Sequence, residues 1–255
     1  MPAYAVYPSL KGRGVFVSGG GSGIGACFVE HFAAQGARVA FVDVADAPSQ
    51  ALVEKIRAAG HPVPHYRRCD VTDIAAYEAA IAEADRELGG LRVLLNNAAR
   101  DDRHKIEDVT PEYWDRCLAV NLKHQFFAIR AAAPLMAAAG GGSVVNMGSV
   151  SWMRSRDIFI GYATSKSAIN GMTRSLAREL GGRGIRVNCL VPGAVVTERQ
   201  NALWRNPDED AKFLENQSLK FRLGPEHCAR MALWLAADDS DGCTGQNFIV
   251  DGGLA

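Results

Sequence analysis

The residues whose types and spacing could do chemistry are a tyrosine and a lysine four positions apart, Tyr162 and Lys166, preceded by Ser149. On a helix, residues at this spacing share one face, so the phenol and the ammonium would lie side by side. The ammonium should lower the pKa of Tyr162 from its ordinary value of about 10 and make it a usable general base. Ser149 follows a predicted strand, and its hydroxyl could hold the substrate oxygen. A Tyr–Lys pair alone is usually an exposed helix face, so this chemistry needs a cofactor site beside it.

A glycine-rich turn near the start of the chain predicts such a site. A short apolar strand leads into Ser18-Gly19-Gly20-Gly21-Ser22-Gly23-Ile24-Gly25, and a helical pattern follows. Glycines let the backbone turn tightly and approach a pyrophosphate, whose charge then meets the N-terminus of the helix. The succession of strand, glycine turn and helix favours dinucleotide binding over an ordinary turn. The residues expected at the phosphates are Gly19, Ser22, Gly23, Ile24 and Gly25.

The second predicted strand ends in an acidic residue, Asp43, eighteen positions after Gly25. A carboxylate there accepts hydrogen bonds from the adenine-ribose hydroxyls and repels a 2′-phosphate. Positions 20–22 and 44–46 carry no arginine or lysine that could hold such a phosphate. We therefore predict NAD as the cofactor rather than NADP. Further contacts are expected after the third and fourth strands, with the adenine at Asp70 and Val71 and with the ribose at Asn97 and Ala98.

The elements that must position these residues alternate along the chain. Short β-branched runs predict strands at Gly14–Ser18, Arg38–Asp43, Val63–Cys69, Leu91–Asn96, Gly142–Met147, Ile185–Val191 and Asn247–Val250. Longer Ala-rich patterns predict helices at Gly23–Gln35, Pro48–Ala59, Ile74–Leu88, Pro111–Ala139, Tyr162–Leu180 and Pro225–Ala236. This alternation predicts an α/β fold, a single Rossmann-type doubly wound parallel sheet of about seven strands with helices on both faces. We expect one domain over 1–255, in which the irregular stretch 198–220 forms a substrate lid.

Composition argues against several other classes of protein. The chain has 255 residues, enough for one large domain, and its 28 Lys and Arg balance its 28 Asp and Glu. Zero net charge gives no reason to expect a nucleic-acid or membrane partner, and no stretch reaches membrane-spanning length. Six scattered cysteines favour reduced thiols in a cytoplasmic protein, and six dispersed histidines argue against a metal site.

Together these motifs resemble the short-chain dehydrogenase/reductase family over nearly the whole chain. Its TGxxxGxG motif is present from Ser18 to Gly25, with serine for threonine, and its NNAG motif as Asn96–Ala99, with alanine for glycine. The resemblance implies a catalytic tetrad of Asn121, Ser149, Tyr162 and Lys166. Asn121 would kink its helix and hold a water that links Lys166 to solvent, and Lys166 would also hold the nicotinamide ribose. The remaining cofactor contacts that it implies are Tyr162, Lys166, Pro192, Gly193, Val195 and Thr197.

Shorter segments resemble one subgroup of that family, the bacterial aldose 1-dehydrogenases. These segments are 7–12, 101–105, 108–110, 113–115, 148–152 and 199–200. The likeness implies NAD-dependent oxidation of an aldose, a pentose or 6-deoxyhexose such as D-xylose, L-arabinose or L-fucose, at C1 to the lactone. A sugar pocket needs charged, amide and aromatic groups, and the candidates for substrate contact are Arg100, Asp101, Ser151, Trp152, Arg199 and Gln200. We interpret Arg103, His104 and Lys105 as exposed or structural.

Other functions stay open at this point. A dehydrogenase of a sugar acid, polyol or other secondary alcohol, or a 3-oxoacyl reductase, would use the same fold, and an NAD-binding regulator would need no catalysis. Asp43 and the neutral charge argue against the reductase, which usually takes NADP and a basic docking surface, and the complete tetrad argues against the regulator. In the resembling family the two long helices pair between subunits, so we expect a homotetramer whose partner is a small-molecule sugar.

Overall fold

The structure is a computed structural model that describes residues 4–155, 157–203 and 207–255. Its strands are β1 Gly14–Ser18, β2 Arg38–Asp43, β3 His65–Arg68, β4 Leu91–Asn96, β5 Gly142–Met147, β6 Ile185–Pro192 and β7 Asn247–Val250. Its α-helices are α1 Gly23–Ala34, α2 Asp46–Ala58, α3 Ile74–Leu88, α4 Pro111–Leu118, α5 His124–Ala138, α6 Ile160–Leu180, α7 Glu198–Leu203, α8 Pro207–Asn216 and α9 Pro225–Ala236. Residues 204–206, in the middle of the predicted lid, lie outside the described residues.

The strands form one parallel seven-stranded sheet in the order β3-β2-β1-β4-β5-β6-β7. The direction in which strands are added reverses between β1 and β4. In an open parallel sheet such a reversal leaves a crevice outside the carboxyl ends of the two strands, and ligands bind there. The predicted Rossmann-type, doubly wound sheet is confirmed.

Two layers of helices bury the central strands from both sides. All five residues of β1 are buried, as expected for a parallel strand with both faces covered. Val15 packs with Phe28 of α1 in the core on one face. Phe16, one position on, packs with Tyr77 of α3 and Ile129 of α5 on the other. In the described ranges, no helix is long and apolar enough to cross a membrane.

Several element boundaries in the structure differ from those predicted from the sequence. The long helix predicted over Pro111–Ala139 divides at a π-helical turn, Ala119–Lys123, which joins α4 to α5. The helix α6 begins at Ile160, two residues before the predicted start at Tyr162. The stretch predicted to be an irregular lid contains two helices, α7 and α8. The edge strand β3 is shorter than predicted because it is paired only with β2 and its residues are mostly exposed.

Candidate active site

A cleft of about 1150 Å³ opens at the carboxyl edge of the sheet. It is lined at one end by Asp43 and Asp70 and at the other by Asp101 and Gln200, and every predicted catalytic and cofactor residue contributes to its walls. Of the six substrate candidates, five line it and Trp152 does not. Ser151 and Trp152 belong to a 3₁₀ turn, Val150–Trp152. Successive side chains of such a turn point about 120° apart, and Val150 and Ser151 both line the cleft, so the third side chain, Trp152, is directed away from it.

The glycine turn between β1 and α1 has the shape of a phosphate cradle. Gly19 has a φ of +65°, and a Cβ there would lie only 2.9 Å from the Cα of Ala98. A Cβ on Gly25 would overlap the carbonyl group of Gly19. Ser22 precedes α1 with an extended backbone, and its side chain makes no capping hydrogen bond. The first N–H groups of α1 and the positive end of its dipole therefore face the cleft, which suits an anionic pyrophosphate.

Ser18 joins the two strands that flank the crevice. Its hydroxyl accepts hydrogen bonds from the backbone N–H groups of Asn97 at 3.0 Å and Ala98 at 3.1 Å. The Asn97 amide donates in return to the carbonyl oxygens of Ser18 at 3.0 Å and Gly19 at 2.9 Å. Behind this loop His124 donates from Nε2 to the Ala98 carbonyl at 2.9 Å, and burial lowers its pKa to about 3, so the imidazole is neutral. Sequence reasoning missed His124, because nothing in a dispersed histidine signals burial.

Asp43 lies at the end of β2 with its carboxylate fixed by the backbone. One oxygen accepts from the N–H of Gly21 at 2.9 Å and the other from the N–H of Ala45 at 3.0 Å. Asp46, the next acid along the chain, forms an ion pair with Arg68 at 2.9 Å and does not line the cleft. Of Asp43 and Asp46, it is therefore Asp43 that a nucleotide in the cleft would meet.

Ser149, Tyr162 and Lys166 come together beyond the end of β5. Lys166 is 1% exposed, its Nζ donates to the Met147 carbonyl at 2.8 Å, and that nitrogen lies 5.5 Å from the centroid of the Tyr162 ring. Burial lowers the pKa of Lys166 to about 8. The Ser149 hydroxyl accepts the N–H of Ser151 at 3.1 Å, and its interaction with the Tyr162 phenol favours the ionised form of that phenol.

The pKa of Tyr162 is raised, so the fall expected from the Tyr–Lys spacing is wrong for this structure. Burial of the phenol is the largest cause, the negative charge of Asp101 adds to it, and the hydrogen bond with Ser149 opposes it. Lys166 does not reverse the balance, because burial lowers its own pKa to about 8 and the amine is therefore neutral at the alkaline pH where the phenol titrates. A further positive charge beside the phenol is needed to make it a base near neutral pH.

Asn121 is fully buried in the π-helical turn, which matches the distortion of its helix that was expected. Its Oδ1 accepts the N–H of Arg100 at 2.8 Å, and its Nδ2 donates to the carbonyl oxygens of Arg100 and Cys117, both at 3.0 Å. The side chain thus holds the loop that follows β4. Single-turn π-bulges occur frequently at functional sites.

Side chains from α7 reach across the cleft to that same loop. Gln200 donates to the Asp101 carboxylate at 2.6 Å, and Arg199 pairs with Asp101 at 3.5 Å and Asp102 at 3.2 Å. Arg100 pairs with Asp102 at 2.8 Å. Each exposed ion pair adds little to the stability of the fold, so the main effect of this network is on the polarity of the cleft. It gives the outer end of the cleft a wall of carboxylate, amide and guanidinium groups.

Other residues of this wall had no recognisable sequence signal. Phe213 of α8 lines the cleft, and the guanidinium carbons of Arg154 and Arg222 lie 5.5 Å and 5.1 Å from its ring centroid. Ser151, by contrast, is a residue that the sequence predicts, and its hydroxyl oxygen is buried with no hydrogen-bond partner among the described residues. Phe213 comes from an irregular charged stretch, where no periodicity indicated which side chains face inward.

A glycine cradle at the reversal of strand order, with a serine, a tyrosine and a lysine further along the same cleft, defines a dinucleotide-dependent oxidoreductase. A family model described as enoyl-(acyl carrier protein) reductase matches residues 19–255. The chain belongs to the short-chain dehydrogenase/reductase family.

Its relatives and structural neighbours cover nearly the whole chain. The D-xylose 1-dehydrogenase of Caulobacter vibrioides is 48% identical over 250 residues, 98% of each chain. The "Probable galactose dehydrogenase GalD" of Rhizobium meliloti is 48% identical over 248 residues, 97% of each chain. A blue fluorescent protein from a metagenomic library, solved with NADPH, is 36% identical with a TM-score of 0.89, covering 97% of this chain and 99% of its own. Members of the family bind nicotinamide cofactors, and another solved neighbour holds NADH.

Proposed function

We propose that the protein oxidises an aldose, a pentose or 6-deoxyhexose such as D-xylose, L-arabinose or L-fucose, at C1 to the lactone, with NAD as the hydride acceptor. The observation that carries this proposal is the polar wall beside Tyr162, formed by Asp101, Ser151, Arg199 and Gln200. The hydroxyls of a sugar need such donors and acceptors, whereas a steroid or acyl chain needs apolar walls. The two relatives named for xylose and galactose support a sugar.

The reaction needs a base at the C1 hydroxyl and an acceptor for the C1 hydrogen. Ser149 and Tyr162 hold the hydroxyl, and Tyr162 takes its proton as C1 becomes the lactone carbonyl carbon. When bound, NAD would supply the acceptor for the hydride, and the positive charge of its ring would lower the pKa of Tyr162 against the effect of burial. Lys166 would hold the nicotinamide ribose hydroxyls, and a water held at Asn121 would link it to solvent for release of the proton.

Asp43, Asp70 and Val71 would hold the adenosine of the cofactor. The glycine turn would hold its pyrophosphate, and a Cβ on Gly23 would come 3.4 Å from Cγ2 of Thr197 across the cleft. The strand end at Pro192 and Gly193, with Val195 and Thr197, would border the nicotinamide. The Val195 side chain is buried in the core, so its backbone would face the cofactor.

We further propose one domain over 1–255, in which 198–220 covers the substrate. The contacts of Gln200 and Arg199 with the loop after β4 support this, since they join the two sides of the cleft. A cytoplasmic homotetramer is the proposed assembly, and analytical ultracentrifugation would test it. The helix α5, which lies in the predicted Pro111–Ala139 helix that pairs between subunits in the resembling family, exposes 43% of Phe126.

A sugar acid is the second candidate substrate. Arg103, Arg154 and Arg199 all line the outer cleft, and guanidinium groups bind carboxylates well.

Purified protein should be offered NAD or NADP with D-xylose, L-arabinose, D-galactose, L-fucose, a 2-keto-3-deoxy sugar acid and a secondary-alcohol control, and NADH formation followed by its absorbance. Turnover of aldoses with NAD supports the proposal, and activity on the acid alone replaces it. Tight NADH binding with no turnover of any alcohol would favour a regulator.

Replacing Asp43 by Asn should raise the efficiency with NADP relative to NAD by about 10- to 100-fold, because it removes the charge that repels a 2′-phosphate. The amide keeps the shape of the side chain and one acceptor for the backbone. The measurement is kcat/KM for both cofactors with the same saturating substrate. Asp70→Asn, at the adenine side of the cleft, is the matched control and should change both values alike. An unchanged ratio in Asp43→Asn would contradict the assignment of NAD.

A further inference from the structure

We infer that His104 is a positioning residue for Tyr162, because its imidazole caps the N-terminus of α6 and ties that helix to the loop after β4. The inference deepens the proposed function and rests on the proposed role of Tyr162 as the base. The sequence interpretation grouped His104 with its neighbours as exposed or structural. In the structure Lys105 is exposed, whereas His104 is 8% exposed.

The N-terminus of α6 lacks a local cap, and His104 supplies one. The first N–H groups of any α-helix have no partner within the helix. The residue before α6, Phe159, has no side-chain acceptor to offer them. The N–H of Gly161 instead donates to Nε2 of His104 at 3.4 Å, and Gly161 directly precedes Tyr162. A Cβ on Gly161 would lie 3.0 Å from Sγ of Cys117, so glycine at this position lets α4 pack closely against the start of α6.

The hydrogen bonds around the imidazole have one consistent direction. Because Nε2 accepts from Gly161, the ring proton is on Nδ1, which donates to the hydroxyl of Tyr113 at 2.8 Å. That hydroxyl donates in turn to the carbonyl oxygen of Asp102 at 3.4 Å. The His104 and Tyr113 rings also pack edge to face with centroids 4.9 Å apart. An oriented chain therefore runs from the start of α6 to the backbone beside Asp101, which is a substrate candidate.

The backbone of His104 holds a second point of the same segment. Its N–H donates to the carbonyl oxygen of Ile158 at 3.0 Å. Ile158 has a φ of +57°, which is unfavourable for a β-branched residue and persists only where surrounding contacts hold it. His104 thus contacts both Ile158 and Gly161, the two sides of the bend that leads into α6.

Loss of the imidazole should displace Tyr162 more than it disturbs cofactor binding. Phe159, inside the bend, lies with its ring 6.3 Å from the Tyr162 ring, so a shift of the bend moves the phenol's surroundings directly. The glycine turn and Asp43 belong to other elements. Misplacing a reacting group by about 1 Å can lower a rate by about 10²-fold. The expected signature is a fall in kcat with little change in KM for NAD.

Three variants of His104 separate positioning from general packing. Gln can place its side-chain oxygen near the position of Nε2 and accept from Gly161, Asn reaches only the position of Nδ1, and Phe matches the ring without either nitrogen. We expect His104→Asn and His104→Phe to lose about 10-fold in kcat, and His104→Gln to stay within about 3-fold of the unmodified protein. KM for NAD should change less than about 2-fold in all three. Lys105→Gln, an exposed neighbour, is the control.

The inference fails if all three variants lose kcat equally, if none does, or if KM for NAD changes as much as kcat. A second measurement does not depend on turnover. Nitrogen-15 NMR of the imidazole should show an unprotonated Nε2 and a protonated Nδ1, and the opposite tautomer would overturn the assignment. If the unmodified protein oxidises no sugar or other alcohol yet shows the expected tautomer, the proposed function fails while the cap of α6 stands.

Discussion

Replacing Tyr162 by Phe should lower kcat/KM for the aldose by about 10³-fold or more, because the variant has no group to take the C1 hydroxyl proton. The ring that packs near Phe159 and Lys166 is retained, so the fold and the cofactor site should survive. The measurement pairs steady-state NADH formation with NADH binding by fluorescence. Tight NADH binding together with loss of turnover is the expected result.

The pH dependence of turnover by the unmodified protein is an independent test of Tyr162 as the base. Tyr162 must lose a proton to act as a base, and burial with Asp101 raises its pKa, so kcat/KM should rise from neutral toward alkaline pH. The residual rate of Tyr162→Phe should lack this rise. Tyr7→Phe, a phenol outside the cleft, is the matched control and should keep full activity. A Tyr162→Phe rate within about 10-fold of the unmodified protein would exclude the phenol as the base.

The fold could be predicted from the sequence because its signals are local. A parallel strand with helices on both faces is apolar along its whole length, so Gly14–Ser18 and Leu91–Asn96 are recognisable without knowledge of their partners. The glycine turn and Asp43 are equally local, since each occupies a fixed place relative to a strand end. The element boundaries that differ from the prediction lie where tertiary contacts determine the local backbone conformation, as at the π-helical turn around Asn121.

The parts of the site that could not be predicted depend on contacts distant in sequence. The sequence does not show which histidines are buried, so it does not distinguish His104 from His124. In the structure His104 caps α6, and His124 donates to the Ala98 carbonyl. The spacing of Tyr162 and Lys166 likewise says nothing of desolvation, which raises the pKa of the phenol together with Asp101 and lowers that of the lysine to about 8. Trp152 was chosen for its type beside Ser149, but the geometry of its turn decides which side chain faces the cleft.

Lys166 shows most clearly how a group proposed to serve the reaction works against stability. It is among the largest fully buried side chains, and its ammonium has a single carbonyl partner and no carboxylate at ion-pair distance among the described residues. Removing an ammonium from water is costly, and the lowered pKa of about 8 is the direct consequence. The folded protein therefore carries a charge at neutral pH that its surroundings disfavour.

Replacing Lys166 by Met should abolish turnover and at the same time stabilise the protein. Met fills a similar volume without a charge, and the gain should exceed the cost of leaving the Met147 carbonyl unpaired. We expect the free energy of unfolding at pH 7 to rise by about 1–2 kcal/mol, measured by urea denaturation. Lys55→Met removes a lysine whose side chain is 67% exposed, and as a control it should change that free energy by less than about 0.5 kcal/mol.

The pH dependence of this stabilisation identifies its cause. The pKa of Lys166 falls from its ordinary value of 10.5 to about 8 on folding, so between these values the unfolded chain binds more protons than the folded one. This contribution makes the free energy of unfolding rise with pH across that window, and Lys166→Met lacks it. Buried groups that do not interact with Lys166, such as Cys228 with its pKa raised to about 12, titrate in both proteins and cancel in the difference. The advantage of the variant should therefore be full at pH 7 and shrink toward pH 10. A constant advantage would assign it to packing, and a variant less stable at pH 7 would show that Lys166 is well solvated or paired in solution.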